Sequence, residues 1–126
     1  MSTIRVDNFQ PADGLTPAFP TGGISKASVA YDHPTPATLR SSNLSSMTDH
    51  GAGDAAANFT NAFDAVDYAF TGAALNTSGT DKAFVGYDTG MTTAPATSAC
   101  GIAGMNSSGV RADYDWINGS WMGDLA

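Results

Sequence analysis

Large apolar side chains are scarce in this chain, and that scarcity limits what it can fold into more than any other feature. Leu, Ile, Val and Phe together make 20 of 126 residues, about 16%. Chains below about 20% often fail to build a core at all. Disorder also needs strong charge to oppose collapse, and only 13% of the residues are charged. Ala, Gly, Ser and Thr supply about half of the chain instead. The expectation is one domain of small-residue β structure. Its core is thin, and neighbouring copies are expected to help stabilise it.

Turn chemistry divides the chain into short extended segments. Residues 26–32 alternate, with Ala27, Val29 and Tyr31 on one face. Pro34 and Pro36 end that run, because proline donates no ladder hydrogen bond. Residues 38–48 read as one polar strand, followed by a turn through Asp49, His50, Gly51 and Gly53, and residues 55–60 return as its hairpin partner. Further strands are expected over 68–75, 82–88 and 98–105, and in a stretch ending at Met122. Residues 61–67 are the one helix candidate, too short to stand alone. Strands at this spacing imply an all-β, antiparallel β-sandwich, jelly-roll-like in character, over residues 26–126. The preceding residues 1–25 carry Pro11, Pro17, Pro20 and Gly22-Gly23 and no sustained period, so they read as an irregular anchoring peptide.

Asn118-Gly119 poses a local conflict. Asn-Gly is the strongest two-residue hairpin signal, yet the arm beyond it would end in Gly123 and Asp124, poor strand formers. A continuous strand is expected instead, with Ile117, Gly119 and Trp121 on one face and a bulky neighbour close to Gly119.

Charge removes several functions. Five Lys and Arg against twelve acidic residues leave a net charge of −7, and no two basic residues are adjacent. Nucleic acid binding requires clustered cations that displace counterions, and an anionic membrane surface repels such a chain. No apolar run reaches the length of a membrane span. The opening residues Met1-Ser2-Thr3-Ile4-Arg5 lack the charged-then-apolar order of a signal peptide, which points to synthesis in the cytoplasm.

Chemistry-bearing constellations are weak. His33 and His50 each neighbour an aspartate, but both are expected as exposed turn residues rather than a catalytic base with its orienter. Asp49 with Asp54, or Asp113 and Asp115 with Asp124, match no calcium-loop spacing. Phosphate-cradling and nucleophile-elbow patterns are absent from the sequence. Cys100 has no second cysteine to pair with and reads as a small buried strand residue. The expectation is a chain that is not an enzyme, with no cofactor and no metal.

Three segments carry a resemblance. The decapeptide Met1 to Gln10, the strand Lys26-Ala27-Ser28-Val29-Ala30-Tyr31, and the run from Leu39 through Ser45-Ser46-Met47-Thr48-Asp49 to Gly51-Ala52-Gly53-Asp54 resemble a family of small bacteriophage virion proteins. That family, from phages of marine and freshwater bacteria, is described as structural or tail-fibre-like. Asn58-Phe59-Thr60, Tyr68 and the closing Trp116 to Asp124 continue the likeness. The chain departs from the pattern at Ala55-Ala56-Ala57, where an aromatic or β-branched residue follows Gly-Asp, and at Gly119. The resemblance implies a virion appendage made in the host bacterial cytoplasm. Its N-terminal segment would dock on other virion proteins, through Ile4, Val6, Phe9 and Phe19, and its β domain would form a homotrimer.

Two classes of function follow from it. As a fibre or spike domain, the protein would hold a host surface glycan at Tyr87, Asp88, Tyr114 and Trp116, the loop-proximal set; the competing reading puts those rings in the core or a subunit interface. As a head decoration or cement protein, it would only stabilise the shell. A non-viral carbohydrate-binding β-sandwich module is a third alternative.

Overall fold

The computed structural model describes residues 25–77, 82–88 and 90–126. The expected docking residues Ile4, Val6, Phe9 and Phe19 lie outside the described residues. Eight strands follow in order: β1 (Ser25–Asp32), β2 (Ala37–Ser42), β3 (Leu44–Gly51), β4 (Asp54–Phe59), β5 (Ala69–Leu75), β6 (Phe84–Gly86), β7 (Ala99–Met105) and β8 (Trp116–Met122). They form two four-stranded antiparallel sheets, ordered β2-β1-β8-β5 and β3-β4-β7-β6. The fold is a β-sandwich, and the described residues contain no helix.

Each sheet turns one face inward, as the period of two requires. From the first sheet Ala27, Val29, Tyr31, Ile117 and Trp121 enter the core; from the second come Ala55, Ala57, Phe59, Cys100 and Ile102. Aromatic rings supply the volume that the aliphatic residues do not. Trp121 is fully buried and meets Phe59 at 5.5 Å between ring centroids and Phe70 at 5.1 Å. Phe59 meets Phe63 edge-on at 4.9 Å, the geometry favoured by ring quadrupoles. The alanines opposite let the sheets close around these rings.

β8 runs unbroken between β1 and β5, and neither Asn118 nor Gly119 has a positive φ. The continuous strand therefore prevails over the Asn-Gly hairpin, because pairing on both sides holds the backbone extended. Gly119 faces the core, where an added Cβ would lie 3.0 Å from the Phe70 ring and 3.3 Å from Trp121.

Four expectations need correction. The polar run 38–48 is not one strand: it breaks at Asn43, whose φ of 55° turns the chain from β2 in one sheet to β3 in the other. Asn tolerates this left-handed conformation better than most residues. Residues 61–67 are not helical, because their amides find partners outside the segment. The Phe63 N–H donates to the Thr97 carbonyl and that of Asp64 to the Asp124 carbonyl, at 2.9 and 2.8 Å. His33 is not exposed; it is buried at the end of β1, edge-on to Tyr31 at 5.4 Å. His50 is exposed, but it belongs to β3, which extends through Gly51 before the Ala52-Gly53 turn.

Candidate functional site

The two sheets differ on their outer faces. On the first, Ser42, Ser28, Ser120 and Thr71 stand in one row across four strands, with Arg40, Ala30, Asn118 and Ala73 in the next. On the second, Ala56, Gly101 and Ala103 point outward yet are buried. The connection between β6 and β7 crosses over them as a strap. No large side chain on this face holds the strap away, and a Cβ at Gly101 would collide with the Thr93 carbonyl oxygen.

A buried carboxylate pins the strap. Asp54 Oδ2 accepts from the Thr92 N–H at 3.0 Å, the Thr92 hydroxyl at 2.8 Å and Arg111 Nη1 at 3.2 Å. Arg111 Nε donates to Asp88 Oδ2 at 2.8 Å, so one guanidinium joins the buried carboxylate of β4 to a carboxylate of the strap. His50 Nε2 and the Thr93 hydroxyl lie 3.1 Å apart and fasten the strap to β3 as well.

Tyr87, Asp88, Met91, Ala94 and Pro95 line a depression of about 320 Å³ on this strap. Tyr87 is anchored at both ends. Its ring lies 5.5 Å from that of Phe70, tilted by 35°, and its hydroxyl accepts from the buried Cys100 thiol at 3.6 Å. Burial pushes that hydroxyl well above the ordinary phenol range and the Cys100 contact raises it further, while the Trp121 indole acts in the opposite sense. Tyr87 nonetheless remains 45% exposed. Its polar end is turned inward and its apolar body outward.

The other expected contact residues are not brought to this place. Tyr114 is buried, 2% exposed, and presents no ring to a ligand. Trp116 is half-exposed but belongs to the first sheet, where it pairs with Leu75. The expected set of four thus reduces to Tyr87 and Asp88, with Arg111 and the strap residues Met91, Ala94 and Pro95 added. The sequence pattern carries the strand to residue 88 whereas β6 ends at Gly86, and Met91, Ala94 and Pro95 fall in the loop read over residues 91–97, where no periodicity marks a contact face.

Two further arrangements are structural in character. Asp49 and His50 are consecutive on β3 and point to opposite faces. Asp49 Oδ1 accepts from the Gly51 N–H at 3.0 Å while His50 meets Thr93, so the two do not act as base and orienter. His33 Nδ1 lies 3.9 Å from Asp113 Oδ1, and that oxygen already accepts from the Gly53 N–H at 2.8 Å. Asp64, Asp67 and Asp124 surround a wider depression of about 440 Å³ beside Tyr68 and Met122. Among the described residues no three His, Cys, Asp or Glu side chains are grouped so as to hold a metal ion.

No protein-family model, no curated protein and no solved structure matches this chain.

Proposed function

We propose that this chain is a structural appendage protein of a bacteriophage particle, attached by its N-terminal segment and presenting a trimeric β domain for adsorption to the host surface. The resemblance over residues 39–54 supports it. That run builds the end of β2, the Asn43 corner, β3 and the turn into β4, which is the frame of the sandwich rather than a ligand loop. The observation that carries the reading is the strap: a half-exposed ring, fixed from beneath and held by an ion-paired clasp, suits a binding face better than a reaction centre. No bond-making step is assigned to the chain. Low charge density and an acidic balance keep such a surface soluble and limit nonspecific adhesion.

A second reading, a head decoration or cement protein, draws on the first sheet. The two outer rows described above are small and uncharged apart from Arg40, and Trp116 and Leu75 stand exposed beside them, with Asp32 of β1 on the same face. Such a face suits lateral packing against other protein copies.

Cryo-electron microscopy of particles carrying a labelled chain tests both. A projecting density on the tail supports the appendage and a lattice position on the head supports the decoration protein. Absence from the particle overturns both. Deleting residues 1–23 is expected to leave a folded domain that no longer enters particles. Sedimentation of the purified full chain is expected to give three copies.

A further inference from the structure

We propose that the Tyr87 depression takes one face of an uncharged pyranose from a neutral surface glycan, and that its charge surroundings turn acidic glycans away. This rests on the adsorption reading above and names the ligand class for it. The platform is set before a ligand arrives. Phe70 supports the Tyr87 ring, and the hydroxyl is engaged by Cys100 in the interior. Little side-chain freedom is left to lose on binding. An aromatic face carries partial negative charge, which complements the C–H groups on the apolar face of a sugar ring. Met91, Ala94 and Pro95 add apolar walls without charge. At about 320 Å³ the depression stands at the small end of ligand pockets, a size suited to a single sugar residue.

Charge sets the selectivity. Among the described residues Arg111 is the guanidinium at this rim, and it already faces two carboxylates, Asp88 and Asp54. Its charge is thus already engaged by carboxylates, within a chain of net −7. A uronic acid or sulfated sugar entering here meets the Asp88 carboxylate inside one screening length of about 8 Å, and among the described residues the cation beside it, Arg111, is already paired. A neutral ring is not repelled.

The test applies the purified full chain to an array printed with neutral, amino and uronic-acid oligosaccharides, followed by calorimetry on the glycans that bind. Binding is expected to neutral glycans and not to uronic-acid ones. Ala94→Glu, at an exposed position in the depression, fills it and adds negative charge; affinity should fall about tenfold or more, or 1.4 kcal/mol per factor of ten. Tyr87→Ala should lose binding, and the Ala94 variant keeps the test valid if that truncation unfolds the domain. No neutral glycan bound, preference for acidic glycans, or unchanged binding by Ala94→Glu overturns the proposal. A chain present on particles but blind to neutral glycans overturns this proposal and leaves the appendage reading. A chain that binds them but is missing from particles overturns the appendage reading alone.

Discussion

Asn43 and Asn61, 18 residues apart, clasp one another at the corner where the chain passes between sheets. Asn43 Oδ1 accepts from the Asn61 N–H at 2.8 Å and from Asn61 Nδ2 at 3.0 Å, while Asn43 Nδ2 donates to the Asn61 carbonyl at 3.1 Å. The Asn43 carbonyl in turn accepts from the Thr60 N–H at 3.0 Å. One residue thus supplies both the left-handed backbone that the corner needs and the side chain that ties it to the end of β4.

Those two roles separate by substitution. Asn43→Gly keeps the backbone conformation and loses the clasp, costing about 1 kcal/mol because the bonds are exposed. Asn43→Ala loses the clasp and adds left-handed strain of about 1–2 kcal/mol. Urea denaturation should rank the parent above Gly and Gly above Ala.

Arg111 is expected to matter for the strap out of proportion to its exposure. Arg111→Ala leaves the buried Asp54 carboxylate without its cation, at a cost of about 2–3 kcal/mol. This is below the range for a fully buried pair because the Arg111 side chain is 25% exposed. In the double variant with Asp54→Ala the two losses should fall short of their sum. Hydrogen exchange at the Thr92 amide, which donates to Asp54, should accelerate in both single variants.

The centre of the sandwich tolerates neither addition nor removal. Gly119→Val pushes against Phe70 and Trp121 and should cost about 1–3 kcal/mol by overpacking. Trp121→Ala leaves a cavity among Phe59 and Phe70 and should cost about 3–5 kcal/mol. Thermal unfolding measures both.

Alkaline pH should destabilise the domain. Burial raises Tyr31, Tyr68 and Tyr87 above the ordinary value of 10.0. Nearby aspartates add to the effect at Tyr31 and the Cys100 contact adds to it at Tyr68 and Tyr87. A folded value above the unfolded one means that the unfolded state releases protons first. Their contribution is complete below pH 10.0 and is lost as pH rises toward the folded values. Ultraviolet titration should show these phenols ionising together with unfolding. In Tyr87→Phe the alkaline loss should be smaller.

Acid acts through a different contact. The Thr77 hydroxyl and N–H both donate to Asp115 Oδ2, and they hold that carboxyl below its ordinary value of 3.8. The contribution is present above 3.8 and disappears as pH falls through the lowered value. Carbon-detected NMR titration should place Asp115 closer to 3.8 in Thr77→Val, where the hydroxyl donor is gone.

What the sequence determined by itself was everything local in period. Ala27, Val29 and Tyr31, and Ile117, Gly119 and Trp121, line the core because alternation along an extended strand puts every second side chain on one side. The weakness of residues 121–126 as a hairpin arm was also legible, and so was the inward placing of Cys100. Tertiary structure decided which segments cross over which. Whether Asn43 extends or turns depends on Asn61, which the chain reaches only after completing a hairpin. Residues 61–67 forgo a helix because Thr97 and Asp124 accept their amides from distant parts of the chain. His33 and Tyr114 are buried while Tyr87 stays half-exposed, though all three flank strands and look alike in sequence. The strap decides the difference for Tyr87: small outward residues on β4 and β7 admit it to the sheet, Asp54 and Arg111 pin it, and the ring at its start is left facing solvent.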